Sequence, residues 1–396
     1  MKILYIIPDF HHPLVPGSHR HYHFIKELSK RHKITLFSLV QKAVPNAALK
    51  EMRTYTQKIH MFSVADVKEN TNSRLSKEMQ LRETIRQMHE AFRALTLAES
   101  FDVVMFHGKI LYPLIADCDI PVVIDFCDAT SMRLQIQMRH ESVRKLPLRF
   151  TRYLIAKKNE KNLLRKSDQV AFISARDRSA IVGPGSRLSV VPNGVDLDFW
   201  TPKQRRPEPH TIAMTGVMNY QPNEDAAMIL IRKIMPVLRQ QLENPRLLLI
   251  GRSPTPALEK EGALHDDVTV TGFVDDVRPY LEQASVFVAP IYFASGMQNK
   301  VLEAMAMNLP VVTTSMVAEG VEINGREELP VVVADEETKF AEEVIRLLNN
   351  PDEQQRLGKA GRAFVERHFV WTESAAKFEK MCMDAIAARE TAPTRI

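Results

Sequence analysis

The sequence predicts an α/β fold of two doubly wound Rossmann-like domains facing across a cleft, and three observations carry the architecture. Short runs rich in Val, Ile and Leu alternate with amphipathic helical patterns along most of the chain. The runs are apolar almost throughout, as parallel strands covered on both faces are. A stretch rich in Pro, Asn, Gly and charge, VVPNGVDLDFWTPKQRRPEPH, divides the series in two. The 396 residues, 45% hydrophobic and 26% charged, are enough to bury two cores.

In the first half, strands are expected at Lys2–Ile7, Lys33–Ser38, Val103–His107, Val122–Asp125, Val170–Ile173 and Leu188–Val191. In the second they are expected at Ile212–Thr215, Arg246–Ile250, Val268–Thr271, Val286–Ala289, Val311–Thr314 and Val331–Val333. The boundary is placed near Asn193–Pro202, giving domains 1–193 and 194–371. A last helix, Thr372–Ala388 within 372–396, either caps the second domain or crosses back onto the first. Residues 43–99 show no pattern that fixes a role.

Net charge is +5, too mild to argue for nucleic-acid binding. Cys118, Cys127 and Cys382 lack zinc or redox spacing and read as reduced thiols, which suits a cytoplasmic protein. The opening MKILYIIPDFHH reads as a first strand without a cleavage site. No apolar run is long enough to span a membrane.

Ligands of doubly wound sheets bind beyond the carboxyl ends of the strands, so the loops there hold the candidate residues. After the first strand, Gly17 allows backbone to approach a ligand before a helix resumes at Phe24–Arg31. His11, His12, His19, His21 and His23 crowd this loop, but no carboxylate or cysteine joins them at ligand spacing. A solvated or substrate-facing loop is expected and no metal site. His107 ends a buried strand, and Asp125 and Asp128 follow the next; either acid could cap a helix instead. In the second half Gly216 begins a turn, Asn219 follows, Asn223 reads as an N-cap, and Pro236 kinks or ends the helix. Arg252 follows a strand where it could clamp a phosphate. The acid pairs Asp266–Asp267 and Asp275–Asp276 read as turn caps.

RHESVRKLPLRFTRYLIAKKNEKNLLRKSD is strongly basic, with Leu148, Phe150, Leu154, Ile155, Leu163 and Leu164 partly at helical spacing. A core helix with a solvated basic face is expected, with peripheral contact to anionic lipid as the alternative.

In SGMQNKVLEAMAMNLPVVTT, Gln298 to Met307 form a helix pattern that places Lys300 and Glu303 on one face. They are either an ordinary ion pair or the face a ligand rests on.

VVPNGVDLDFW, LLLIG, VTVTGFVDDVRPYLEQASVFVAP and SGMQNKVLEAMAMNLPVV, in that order, resemble family 4 retaining glycosyltransferases of GT-B fold, also called glycosyl transferases group 1. RHYH, GVMNYQPNEDA and GMQNKVLEAMA resemble more particularly the sugar transferases associated with PEP-CTERM/exosortase exopolysaccharide loci. The resemblance implies transfer from a nucleotide diphosphate-sugar to a glycan or lipid-linked acceptor, without cofactor, metal or nucleic acid, in the cytoplasm or at the inner membrane face. A nucleotide-sugar epimerase of the same fold and a non-catalytic nucleotide-sugar-binding protein are the alternatives. It implies that Glu303 binds the ribose hydroxyls, Phe273 and Val274 meet the base, and His107 lies near the transferred sugar. Gly296, Gln298 and Asn299 lead the helix that faces the diphosphate. The family's first glutamate is Ser295 here, and its usual cation pair after the first strand of the second domain is missing. Lys300, Arg252 and Arg20 are the candidates to replace that charge.

Overall fold

The computed structural model describes residues 1–15, 17, 19–64, 74–139, 145–181, 187–204, 206–293, 296–323 and 327–391. Among them, the first sheet has seven parallel strands: β1 (Lys2–Ile7), β2 (Lys33–Val40), β3 (Lys58–Ser63), β4 (Val103–His107), β5 (Val122–Cys127), β6 (Gln169–Phe172) and β7 (Leu188–Val190). Their order is β3-β2-β1-β4-β5-β6-β7. The second sheet has six: β8 (Thr211–Thr215), β9 (Arg246–Ile250), β10 (Val268–Val270), β11 (Val286–Ala289), β12 (Val311–Thr313) and β13 (Val332–Val333). Their order is β10-β9-β8-β11-β12-β13. In each sheet the order reverses once, beside β1 and β4 and beside β8 and β11. Loops leaving adjacent strands diverge there and open a crevice.

The central strands are buried along nearly their whole length, as their unbroken aliphatic runs require. One aliphatic cluster fills the second domain. Two clusters cover the faces of the first sheet. Each Leu, Ile, Val or Phe so buried contributes on the order of 1.5–3 kcal/mol.

β3 has no counterpart in the sequence reading. It is an edge strand, KIHMFS, with no buried residue, and lacks the apolar run that marks the others. The helix after β1 is Arg20–Leu28, not Phe24–Arg31, so His21 and His23 lie on a helix and not in a loop. Asn223 is not an N-cap: Tyr220 holds that position before the helix Gln221–Ile229, with Pro222 in the first turn. That helix does not stop at Pro236. It passes through a π-helical turn, Leu230–Ile234, into Met235–Gln241. The wider turn absorbs the N–H and the space that proline denies an α-helix.

The hinge runs beside its return segment, Val195 bridging Val370. The last helix, Trp371–Thr391, then lies on the first domain. Its Phe378, Met381 and Cys382 enter the core beneath the helix Arg20–Leu28. His23 stacks on Trp371 with ring centroids 4.3 Å apart, and Glu379 accepts from Arg31 Nε at 3.1 Å.

At the second switch point backbone replaces side chains. A Cβ on Gly251 would lie 1.8 Å from the Gly216 carbonyl oxygen, so only glycine lets the loops after β8 and β9 pack this closely.

Candidate functional site

β4 and β5 pair in register with His107 beside Asp125, so both stand at the carboxyl edge of the first sheet. A bulge follows Asp125 and puts Cys127 in the left-handed region at φ 56°. Arg20, the first residue of its helix and 2% exposed, reaches this edge from beneath. Its Nε donates to Asp125 Oδ2 at 2.6 Å, and one terminal nitrogen donates to the Val191 carbonyl at 2.7 Å. The other donates to Asn193 Oδ1 at 2.8 Å. Asn193 Nδ2 in turn donates to Asn299 Oδ1 at 2.9 Å, on the first residue of the helix Asn299–Ala306. One chain of hydrogen bonds thus runs from the core of the first domain, through the hinge, to the helix carrying Lys300 and Glu303. Against the expectation of a phosphate cation, the Arg20 guanidinium is buried and already bonded to Asp125, Val191 and Asn193.

Three of the five histidines are not solvated, and His19 and His23 are half-buried. His11, His12 and His21 are buried. The Tyr5 hydroxyl lies 2.8 Å from His21 Nδ1, and His12 Nε2 lies 3.0 Å from Glu51. His107 Nδ1 meets the Asp125 carbonyl at 2.8 Å and its ring lies 4.4 Å from that of His21. Burial holds His107 below the ordinary histidine range and, with the nearby His107, brings His11 down to about 3. The His11, His21 and His107 rings are neutral near pH 7. The fold also supplies the carboxylate and thiol that sequence spacing withheld. His21, His107, Asp125 and Cys127 each place a donor atom within 4.8 Å of the others. Arg20 already provides the positive charge facing Asp125, and His107 Nδ1 is committed to a carbonyl. Asp125 and His107 Nδ1 are thus already bonded within the fold, while His21 Nε2 has no hydrogen-bond partner.

Across the cleft, the helix Asn299–Ala306 buries Val301, Leu302, Met305 and their neighbours, which leaves Lys300 and Glu303 on the remaining face. Gln298 is its N-cap and is buried. At the far end Arg362 donates to the Ala306 carbonyl at 2.7 Å, which supports the helix where its carbonyls run out. Before it, Gly296 adopts φ 68°, and a Cβ there would lie 3.8 Å from Asp128 Cβ. Arg176 of the first domain donates to the Gly296 carbonyl at 3.2 Å. Ser295, where the family's first glutamate is replaced, lies outside the described residues.

The ordinary ion pair does not form. The Lys300 ammonium donates to Asn223 Oδ1, while Asn223 Nδ2 donates to the Val217 carbonyl at 3.0 Å. Among the described residues nothing donates a hydrogen bond to the Glu303 carboxylate. Burial, only partly offset by Lys300, raises Glu303 to about 7. Burial, partly offset by Glu303, lowers Lys300 to about 8. Lys300 and Glu303 are thus half-buried, each shifted toward its neutral form, and not paired to each other.

The other predicted residues lie on loops that follow strands. Gly216 and the exposed turn residue Asn219 follow β8. Arg252 follows β9; among the described residues its guanidinium has no hydrogen bond or ion pair, and its charge is felt by His19 of the first domain. Phe273, 73% exposed, and Val274 follow β10. Asp128 lies 3.7 Å from Arg133, and Gly17 belongs to the loop after β1. Of the acid pairs, Asp276 acts locally, accepting from the Arg278 N–H at 2.9 Å, while Asp267 pairs with Arg239, 28 residues away, at 2.7 Å. Sequence reasoning missed Asn193, Asn223 as a lysine partner, Arg176 and Arg362. Their partners lie far off in the chain, and no local spacing signals them.

Residues 209–350 match the family model described as glycosyl transferases group 1. Phosphatidyl-myo-inositol mannosyltransferase of Mycobacterium leprae is 24% identical over 201 residues, which cover 50% of this chain and 54% of that protein. The match thus spans about half the length of this curated relative. Sucrose-phosphate synthase from Thermosynechococcus elongatus superposes over 98% of this chain and 99% of its own, with TM-score 0.72 and 18% identity. Anabaena Alr3699/HepE in complex with UDP and glucose does so over 97% and 99%, with TM-score 0.65 and 14% identity. TarM covers 96% and 98%, with TM-score 0.69 and 10% identity. The shared architecture is GT-B, as the sequence predicts.

Two tests follow from this geometry. Asp125→Ala leaves the Arg20 charge buried and unpaired and should cost about 3–5 kcal/mol in denaturant unfolding; a loss below about 1 kcal/mol would mean the pair holds little. Glu303 binds its proton more tightly folded, at about 7, than at its ordinary 4.5, so wild-type stability falls as pH rises through that window. Glu303→Gln should remove this fall and be the more stable form at about pH 8. Parallel pH profiles for the two proteins would contradict it.

Proposed function

We propose that the chain is a retaining glycosyltransferase that moves a sugar from a nucleotide diphosphate-sugar to an acceptor hydroxyl in polysaccharide or glycolipid assembly. The observation that carries this reading is the Glu303 carboxylate, half-buried beside Lys300 with no donor among the described residues. A ribose diol offers such an acceptor two hydroxyl donors, and a diphosphate offers Lys300 the anion it lacks. Arg252 supplies a second cation for the phosphates. The N-terminus at Gln298 and Asn299, beyond Gly296, supplies backbone N–H groups. Gly216 and Asn219 line the approach from β8, and Phe273 and Val274 flank the base. His107 meets the transferred sugar from the first domain, with Asp128 and Gly17 on the same rim.

Relatives support the substrate class. The mycobacterial protein is named a mannosyltransferase, and Anabaena Alr3699/HepE has been crystallised with UDP-glucose. A Staphylococcus aureus TarM variant has been crystallised with UDP, fondaparinux and alpha-GlcNAc-glycerol. The motifs shared with exosortase-associated transferases support a place in exopolysaccharide assembly, on the cytoplasmic side of the membrane.

The proposed chemistry is attack from the face the diphosphate leaves. The acceptor oxygen bonds to the anomeric carbon as the carbon–oxygen bond to the diphosphate breaks. The acceptor's proton passes to the departing phosphate oxygen, so no strong enzymic base and no metal ion are needed. Lys300, Arg252 and the helix N-terminus stabilise the growing diphosphate charge. His107, kept neutral by burial, orients the sugar.

Lys300→Ala and Glu303→Ala should each lose roughly 1–3 kcal/mol of nucleoside diphosphate affinity by calorimetry. With a competent acceptor, proton NMR of the first product should show the donor's own anomeric configuration. Unchanged affinity in both variants would remove the site assignment, and an inverted product would remove the mechanism.

A further inference from the structure

The helix Leu146–Lys166 packs on the helix Thr130–Arg139 at the outside of the first domain. It turns Ala156, Glu160 and Leu163 inward. Glu160 is its one acid, and the carboxylate is used up on Lys109 and the Ser131 N–H, each at 3.0 Å. The expectation of a core helix with a solvated basic face fails in its first half. Leu148, Phe150, Leu154 and Ile155 all have half or more of their surface exposed. Phe150, Leu154, Lys158, Lys161 and Arg165 follow one another at spacings of three and four, a single stripe along the outer face. Its first half is apolar and its second half cationic. Among the described residues, Arg152, Lys158, Lys161 and Arg165 have no ion-pair partner.

We propose that this face docks on an anionic lipid surface. The apolar half would enter between headgroups while the cationic half meets their phosphates. Charge complementarity selects this occupant. A second copy of the chain would bring like charges together, and an unspecific apolar partner would leave the cations unmatched. The inference stands on the helix surface and not on the transferase reading. If both hold, the acceptor is reached from the membrane.

The test is co-sedimentation of the full chain with phosphatidylglycerol–phosphatidylcholine vesicles and with phosphatidylcholine alone, at low and high salt. Binding is expected to the anionic vesicles only, and to weaken with salt. Lys158→Glu with Lys161→Glu and Arg165→Glu should reduce it by roughly a hundredfold. Phe150→Ser with Leu154→Ser should reduce it by about tenfold or more. All five side chains are exposed, so the thermal midpoint and nucleoside diphosphate affinity should match wild type. The idea is overturned by equal binding to neutral vesicles, by no binding, or by variants that bind as wild type does. A wild-type dimer that the Phe150/Leu154 variant dissociates would assign the face to a second copy instead. Nucleotide affinity is read separately, so failure here leaves the transferase reading intact, and the reverse.

Discussion

The buried pair of Arg20 and Asp125 is the interaction on which the rest of the cleft depends. Both side chains are almost wholly excluded from solvent, and Asp125 Oδ2 lies 2.6 Å from Arg20 Nε. A buried ion pair gains little net energy, but loss of either member leaves a stranded charge. Its value here lies in what it positions. The Asp125 carbonyl fixes His107, the Asp125 carboxylate accepts from the Cys127 N–H at 3.1 Å, and Arg20 fixes Asn193 in the hinge. Through Asn193 the order of the first domain reaches the start of the helix Asn299–Ala306. A chain that folds around this pair therefore aligns both walls of the cleft.

The two walls are satisfied to different degrees. On the first, Arg20 and Asp125 are paired, His11 Nδ1 and His21 Nε2 lack a hydrogen-bond partner, and burial keeps His11, His21 and His107 neutral near pH 7. On the second, Lys300 and Glu303 are desolvated together yet are not paired with each other. Each shift is a cost carried by the unliganded protein, because each opposes the charged form. A ligand that brings an anion to Lys300 and hydroxyl donors to Glu303 offsets both costs at once. Pre-placed charge of this kind needs little rearrangement when a leaving group develops negative charge.

Much of this was legible in the sequence. Unbroken aliphatic runs marked twelve of the thirteen strands among the described residues, since parallel strands buried on both faces leave no room for polar alternation. β3 escaped because an edge strand needs no such run. Lys300 and Glu303 were legible because a helix pattern fixes which residues share a face. The role of Arg20 was not, because it is set by Asp125 and Asn193, 105 and 173 residues away. Asn223 was misread for a related reason: its residue type suits an N-cap, but its partner is Lys300, 77 residues on. The exposed apolar half of the helix Leu146–Lys166 was also hidden, since periodicity shows that a stripe exists and not which way it faces.

The central claim is that Lys300 and Glu303 await a nucleoside diphosphate. Thermal unfolding of the wild-type chain with UDP, GDP, ADP, dTDP, CMP and NAD, one at a time, tests it most directly. One diphosphate, at about 100 times its dissociation constant, should add about 2.7 kcal/mol of stability. No shift with any of the diphosphates, or a shift with NAD alone, would contradict the account.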